Sequence, residues 1–313
     1  MADIVVSEFM DEAAIAASLS GFDVLYDPGL VDRPDDLATA LGNARALIVR
    51  NRTQVRGALL EAAANLVCVG RLGVGLDNID VPACEARGVM VFPATGANDI
   101  GVAEYVIGTA MMLMRGAYRA TDDVIAGAWP RNRLMGREVF GKTMGLVGFG
   151  SIARETGRRA AALGMTVVAT DPFVPEGDPA WAQPWGSVAK RDLDALLAEA
   201  DVVSLHVPLT DATRNLIDAD ALARCKPDAI LVNAARGGVV DEPALAAALK
   251  AGRLGGAALD VFEAEPLSAE TGAVFAGCPN LVLTPHIAGV SVESNVRVSA
   301  LTAEIVRRAL TQG

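Results

Sequence analysis

Three short segments late in the chain set charged side chains just beyond apolar runs. Leu231-Val232-Asn233-Ala234-Ala235 leads to Arg236, then Gly237-Gly238-Val239-Val240-Asp241. Leu259 is followed by Asp260, Val261, Phe262, Glu263, Ala264, Glu265 and Pro266. Leu283-Thr284-Pro285 leads to His286, Ile287, Ala288 and Gly289. If the apolar runs are parallel strands, all three segments sit at strand carboxyl ends, where open α/β sheets bind ligands. A histidine there exchanges a proton near neutral pH. A carboxylate beside it orients the ring, and both Glu263 and Glu265 are candidates. An arginine grips a carboxylate through two hydrogen bonds and polarises an adjacent ketone. With a source of hydride, this set would interconvert a 2-keto acid and a 2-hydroxy acid.

The source of hydride is written earlier in the chain. Met144–Val147 reads as a strand, and Gly148-Phe149-Gly150-Ser151-Ile152-Ala153 follows at once. Gly148 permits a tight turn and Gly150 a close approach of backbone to a pyrophosphate. The amides of Ser151 and Ile152 then open a helix whose N-terminus attracts anions. A second strand, Thr166–Thr170, ends before Asp171, about 20 residues on, where a carboxylate holds the ribose hydroxyls. That carboxylate repels a 2′-phosphate, so NAD is expected rather than NADP.

These segments need elements to hold them. Further strands are expected at Ile4–Val6, Val24–Tyr26, Ala46–Val49, Leu66–Val69, Val89–Phe92, Val202–Leu205, Ala229–Val232, Ala257–Leu259 and Val282–Leu283. Ala/Leu-rich stretches between them read as helices, among them Ile100–Arg115, Arg154–Leu163 and Val292–Leu310. This alternation predicts α/β architecture with two Rossmann-like, doubly wound parallel sheets and an active-site cleft between them. The glycine loop begins midway. Residues 1–98 and 285–313 are therefore expected to form a discontinuous substrate-binding domain, and residues 99–284 the NAD-binding domain.

Composition excludes other classes. The chain has 313 residues, 52% of them hydrophobic, and a net charge of −11. Such a surface repels nucleic acid. The four cysteines are scattered and histidines number two, so no metal site is expected. The thiols, like Met111, Met112 and Met114, read as core. No basic leader or spanning segment is apparent, and a soluble cytoplasmic protein is expected.

The chain resembles the D-isomer-specific 2-hydroxyacid dehydrogenase family, which includes 3-phosphoglycerate dehydrogenases. The resemblance covers nearly the whole length. It is carried by Gly73-Val74-Gly75-Leu76-Asp77-Asn78-Ile79-Asp80, Val102-Ala103-Glu104, the glycine loop, His206-Val207-Pro208-Leu209-Thr210 and the three late segments. Ala153 stands where the family usually has a third glycine. The resemblance implies that His286 is the acid/base, Glu265 its partner, Arg236 the substrate anchor and Asp260 a contact of the nicotinamide carboxamide. It also implies that His206, Val207, Pro208, Ala234, Ala235 and Gly289 line the cofactor. The backbone at Leu72, Gly73 and Val74 would hold the substrate carboxylate.

Arg50 and Arg131 sit where members with charged substrates handle the substrate tail. Arg52, Arg71 and Arg133 are nearby in sequence. The opening Ile4–Glu12 resembles that of sulfolactate dehydrogenases. A small acid with a second anion is therefore expected, 3-sulfolactate or 3-phosphoglycerate before glyoxylate, hydroxypyruvate or D-lactate. A different-class alternative is an NAD-sensing interaction protein with little catalysis. The apolar helix Ile100–Arg115 is expected to join a homodimer.

Overall fold

A computed structural model of the protein describes residues 2–312. The chain forms two compact units, Met1–Asn98 with Val290–Gly313, and Asp99–Gly289. The chain returns to the first unit a few residues later than residue 285. The reason is local. The amides of Ile287 and Ala288 donate to the Asp260 carboxylate, which ties the turn after the last strand to the second unit.

The first unit is built on strands β1 (Ile4–Val6), β2 (Val24–Tyr26), β3 (Ala46–Val49), β4 (Cys68–Arg71) and β5 (Met90–Pro93). They pair in parallel in the order β2-β1-β3-β4-β5. β1 and β3 are buried along their whole length, as apolar runs covered on both faces must be. β4 begins at Cys68 rather than Leu66, because its ladder starts where Cys68 faces Ala46. The helix Val292–Gln312 packs on this sheet through Val298, Ala303, Val306 and Leu310. Gly70 makes this approach possible. A Cβ there would lie 2.7 Å from Val306 Cγ2 and 2.8 Å from Thr302 Cγ2.

The second unit carries β6 (Thr143–Val147), β7 (Thr166–Thr170), the hairpin β8 (Ala182–Gln183) and β9 (Gly186–Ser187), β10 (Ala189–Lys190), β11 (Val202–Leu205), β12 (Ile230–Asn233), β13 (Gly256–Leu259) and β14 (Leu281–Leu283). Seven of these form one parallel sheet, β10-β7-β6-β11-β12-β13-β14. β8, β9 and β10 have two residues each, too few for any periodicity to announce them. The order reverses at β6, so the loop after β6 lies at the switch point where such sheets take ligands.

The helix Asp99–Arg115 buries Val102, Val106, Ala110, Leu113 and Met114 within its own unit. Of its large apolar residues Ile100 and Met111 are exposed, and Tyr105, Ile107 and Met112 are half-buried. Further exposed apolar side chains lie on the segment after it, at Tyr118, Ile125, Trp129, Met135 and Phe140. No helix among the described residues is long and apolar enough to cross a membrane.

Gly70→Val is expected to lower the stability of the first unit by about 1–3 kcal/mol, because the added methyls overpack the helix contact. Urea unfolding measures this; an unchanged midpoint would show that the helix seats elsewhere.

Candidate active site

Sequence and sheet order together assemble the cofactor end. Gly148 has φ +91°, and a Cβ on it would lie 2.5 Å from the His206 carbonyl oxygen. Only glycine lets the β6 loop pass the end of β11. Gly150 caps the helix Ser151–Ala162 without any side-chain hydrogen bond to the first turn. Its leading amides are thus offered by backbone alone, as an anion site requires. Ala153 is fully buried, in keeping with a small residue at the helix–sheet contact. Phe149 is also buried and stacks on Trp181, ring centres 4.9 Å apart.

Asp171 leaves the end of β7 and is bound to the glycine loop itself. Its Oδ2 accepts the Phe149 amide at 2.9 Å, and its Oδ1 accepts the Phe173 amide at 2.8 Å. A depression beside it is lined by Thr170, Asp171, Glu176, Lys190, Arg191 and Asp192. The two cations in that lining are committed elsewhere. Lys190 donates to the Val174 carbonyl at 2.6 Å, and Arg191 pairs with Glu199 at 2.6 Å. This setting fits a ribose with free hydroxyls, and the bare amides of the loop fit a pyrophosphate. Lys190 and Arg191 were not legible as part of the site, because the short strand β10 brings them there.

His206 follows β11, with its Nε2 3.0 Å from Ser204 Oγ. Burial lowers its pKa to about 4, so the ring is neutral at neutral pH.

The other end of the sheet holds the proton-handling group. Asn233 closes β12. Its side chain accepts from the Ala235 amide and donates to the Arg236 carbonyl, which shapes the turn under Arg236. Gly237 lies so close to the next loop that a Cβ would meet the Phe262 carbonyl oxygen at 1.8 Å. Asp260 ends β13 with 1% of its surface exposed. Its carboxylate accepts from the Thr284 hydroxyl at 2.6 Å and from the Ile287 and Ala288 amides at 2.8 and 2.7 Å. The Thr284 hydroxyl is also 2.7 Å from Tyr105 Oη. The turn held this way carries His286 at φ +56°, a conformation a non-glycine residue adopts only under constraint.

His286 Nδ1 lies 2.7 Å from Glu265 Oε2, while Glu265 Oε1 accepts the Phe262 amide at 3.0 Å. Burial raises the Glu265 pKa, but the His286 hydrogen bond and charge, the Phe262 amide and the Arg236 charge outweigh it. The net shift is below the usual carboxylate range. Glu263 does not share this position; its amide donates to Glu242 Oε1 at 2.7 Å and its side chain is exposed. Arg236, Glu265, His286 and Asp260 therefore sit together at the carboxyl ends of three adjacent strands. His206, Asp171 and the glycine loop occupy the same edge.

In the first unit, Arg50 follows β3 and Leu72, Gly73 and Val74 follow the neighbouring β4. Gly73 has φ +142°, and its amide donates to the Arg71 carbonyl at 2.8 Å. Arg131 is exposed in the second unit. Arg52 and Arg133 are engaged with the surface acids Asp32 and Asp123.

Comparison with known proteins agrees with this geometry. The family described as "D-isomer specific 2-hydroxyacid dehydrogenase, NAD binding domain" matches residues 107–288. The chain belongs to this family. It is an NAD-dependent oxidoreductase of 2-hydroxy acids, acting on their CH–OH group. It is 55% identical over 311 residues to an (S)-sulfolactate dehydrogenase of Chromohalobacter salexigens, covering 99% of each chain. It is 40% identical over 276 residues to a hydroxypyruvate reductase of Thermotoga maritima, covering 88% of each. Among solved structures, a D-lactate dehydrogenase from Aquifex aeolicus with NAD and lactic acid superposes with TM-score 0.84 at 25% identity, covering 99% of this chain and 96% of that one.

The neutral state of His206 has a consequence for stability. The unfolded chain takes up a proton near pH 6.5 and the folded chain only near pH 4. Stability is thus full above that window and is lost as pH falls through it, by about 3 kcal/mol at most. His206→Gln should lack this loss, so the stability gap between wild type and variant should change across the window. A pH-independent gap in chemical unfolding would contradict the assignment.

Proposed function

We propose that the substrate is a 2-hydroxy acid with a second anion, (S)-3-sulfolactate first among candidates, and that Arg50 binds that second anion. The observation that carries this reading is the setting of Arg50. Its guanidinium is half-buried at the carboxyl end of β3, with a hydrogen bond to Asn295 Oδ1 at 2.5 Å and the Phe9 ring 5.7 Å away. Among the described residues it makes no salt bridge, unlike Arg52 and Arg133. The buried acid beside it, Glu8, spends its oxygens on backbone amides, so in a chain of net charge −11 this cation supplies the local field an anionic substrate needs. The 55% identity to a sulfolactate dehydrogenase supports the same choice.

The remaining residues divide the chemistry. Bound NAD, held by Gly148, Gly150, Ser151, Ile152 and Asp171 and lined by His206, Val207, Pro208, Ala234, Ala235 and Gly289, supplies the hydride acceptor or donor. His286 takes the hydroxyl proton on Nε2 as the C2 alcohol becomes a ketone, because Nδ1 is committed to Glu265. Glu265 fixes the ring and stays ionised. Arg236 grips the substrate carboxylate bidentately. The Gly73 amide is engaged with Arg71, so the backbone contribution of that loop falls to Val74. Asp260 has its oxygens engaged by Thr284 and two amides and acts first by fixing the His286 turn. Arg131 is a secondary candidate for the second anion.

Oxidation of (S)-3-sulfolactate, 3-phosphoglycerate and D-lactate with NAD tests the reading. (S)-3-sulfolactate should give the highest kcat/KM. Arg50→Ala should raise its KM roughly 10-fold or more while leaving that for D-lactate unchanged. His286→Ala should lower kcat by about 10²–10⁴ with NADH binding kept. Equal KM effects on all substrates would remove Arg50 from the site.

We also propose a homodimer, through the helix Asp99–Arg115 and the exposed apolar side chains Tyr118, Ile125, Trp129, Met135 and Phe140 that follow it. Light scattering on Trp129→Asp/Met135→Asp should show a shift towards monomer; an unaltered mass would refute this surface.

A further inference from the structure

We infer that Glu8 and Asn78 are positioning residues that set the substrate range by clamping the loop that carries Arg50. The inference rests on the reading of Arg50 above. Glu8 directly follows the β1 strand and Ser7, and it is 5% exposed. A carboxylate buried that deeply is costly unless its oxygens are satisfied. Here they are satisfied by backbone. Glu8 Oε1 accepts the amides of Arg50 at 2.9 Å and Thr53 at 3.0 Å, and Oε2 accepts the amide of Arg52 at 3.2 Å. No side-chain donor shares this set among the contacts of the described residues.

Asn78 works on the same loop from its carbonyls. It is also 5% exposed, and its Nδ2 donates to the Arg50 carbonyl at 3.1 Å and the Thr53 carbonyl at 2.7 Å. The Ser7 and Thr53 hydroxyls are 2.9 Å apart, and both residues are buried. The backbone at Arg50, Arg52 and Thr53 is thus pinned by buried polar groups. A loop needing only to cross from β3 to the next helix has no use for this. Surface loops are ordinarily solvated. A loop that must present a guanidinium with fixed aim does need it, since small misplacements of a binding group are expensive.

Asn78 adds a second consequence. It closes the segment that begins at Gly73 and Val74, so one side chain joins the loop proposed for the substrate carboxylate to the loop proposed for the second anion. Both loops belong to the first unit and follow adjacent strands. The spacing between the two anions of an acceptable substrate is then held by Asn78 and Glu8 rather than by Arg50 alone.

Glu8→Gln places an amide N–H against the loop's own amides, and Asn78→Ala removes the carbonyl clamp. Each should raise KM for (S)-3-sulfolactate about tenfold, hold its kcat within roughly twofold, and leave KM for D-lactate and binding of NADH unchanged. Glu8→Asp should recover part of the loss. An equal rise for both substrates, an unchanged KM, or failure of both variants to fold would overturn the proposal, the last by making the clamp a general support. If Arg50→Ala fails to separate the two substrates, the Arg50 reading falls. If Arg50→Ala separates them and both clamp variants do not, only the positioning role falls.

Discussion

The catalytic edge depends on a buried carboxylate that must find donors. Asp260 is almost wholly removed from water, so its charge persists only where hydrogen bonds replace solvation. The Thr284 hydroxyl and the Ile287 and Ala288 amides provide them. Those donors flank His286, and satisfying Asp260 draws the whole turn inward. The positive φ of His286 follows from this, as does the direction in which its ring meets Glu265. The same bonds keep residues up to Gly289 with the second unit. Domain boundary and imidazole orientation thus share one cause.

The first unit uses the same device for a different end. Glu8 accepts three backbone amides, and the loop so ordered carries an arginine rather than a histidine. In both cases an acid directly beyond a strand gathers the amides of a neighbouring connection. Parallel sheets favour this, because their carboxyl ends bring successive connections side by side. The charge logic also differs from a surface ion pair. An acid paired with the Arg50 guanidinium would neutralise it. An acid engaged with amides shapes the loop while the guanidinium stays turned to Asn295 and Phe9.

Much of this was legible in the chain. β1, β3 and β11 fall where apolar runs predicted them, because a strand buried on both faces has no polar positions to obscure it; β2 and β7, only partly buried, match through their β-branched and aromatic residues. Gly148 was legible because few residues other than glycine can occupy its backbone state. The choice between Glu263 and Glu265 was legible only through the family resemblance. Two acids two residues apart in a loop have no periodicity to rank them; in the structure it is Glu265 that accepts the Phe262 amide and meets His286 Nδ1. The helix Asp99–Arg115 reads as an interface from composition; packing within the unit covers Val102, Val106, Ala110, Leu113 and Met114 and leaves Ile100 and Met111 exposed. The exposed apolar side chains of residues 117–140 are spread too irregularly to register as a face.

By itself, the sequence determined the parallel α/β class and the dinucleotide loop with its acid, and it singled out Arg236, Glu265 and His286 at strand ends. These are properties of residue type and local spacing, and hydrophobic burial or backbone sterics reads them directly. Only the tertiary structure decided that Asp260 sets the His286 turn, that Lys190 and Arg191 are engaged beside Asp171, and that Glu8 and Asn78 grip the Arg50 loop. Each of these joins residues far apart in the chain. Such contacts arise when sheet order brings strand ends together and desolvation leaves their polar groups no partner but one another.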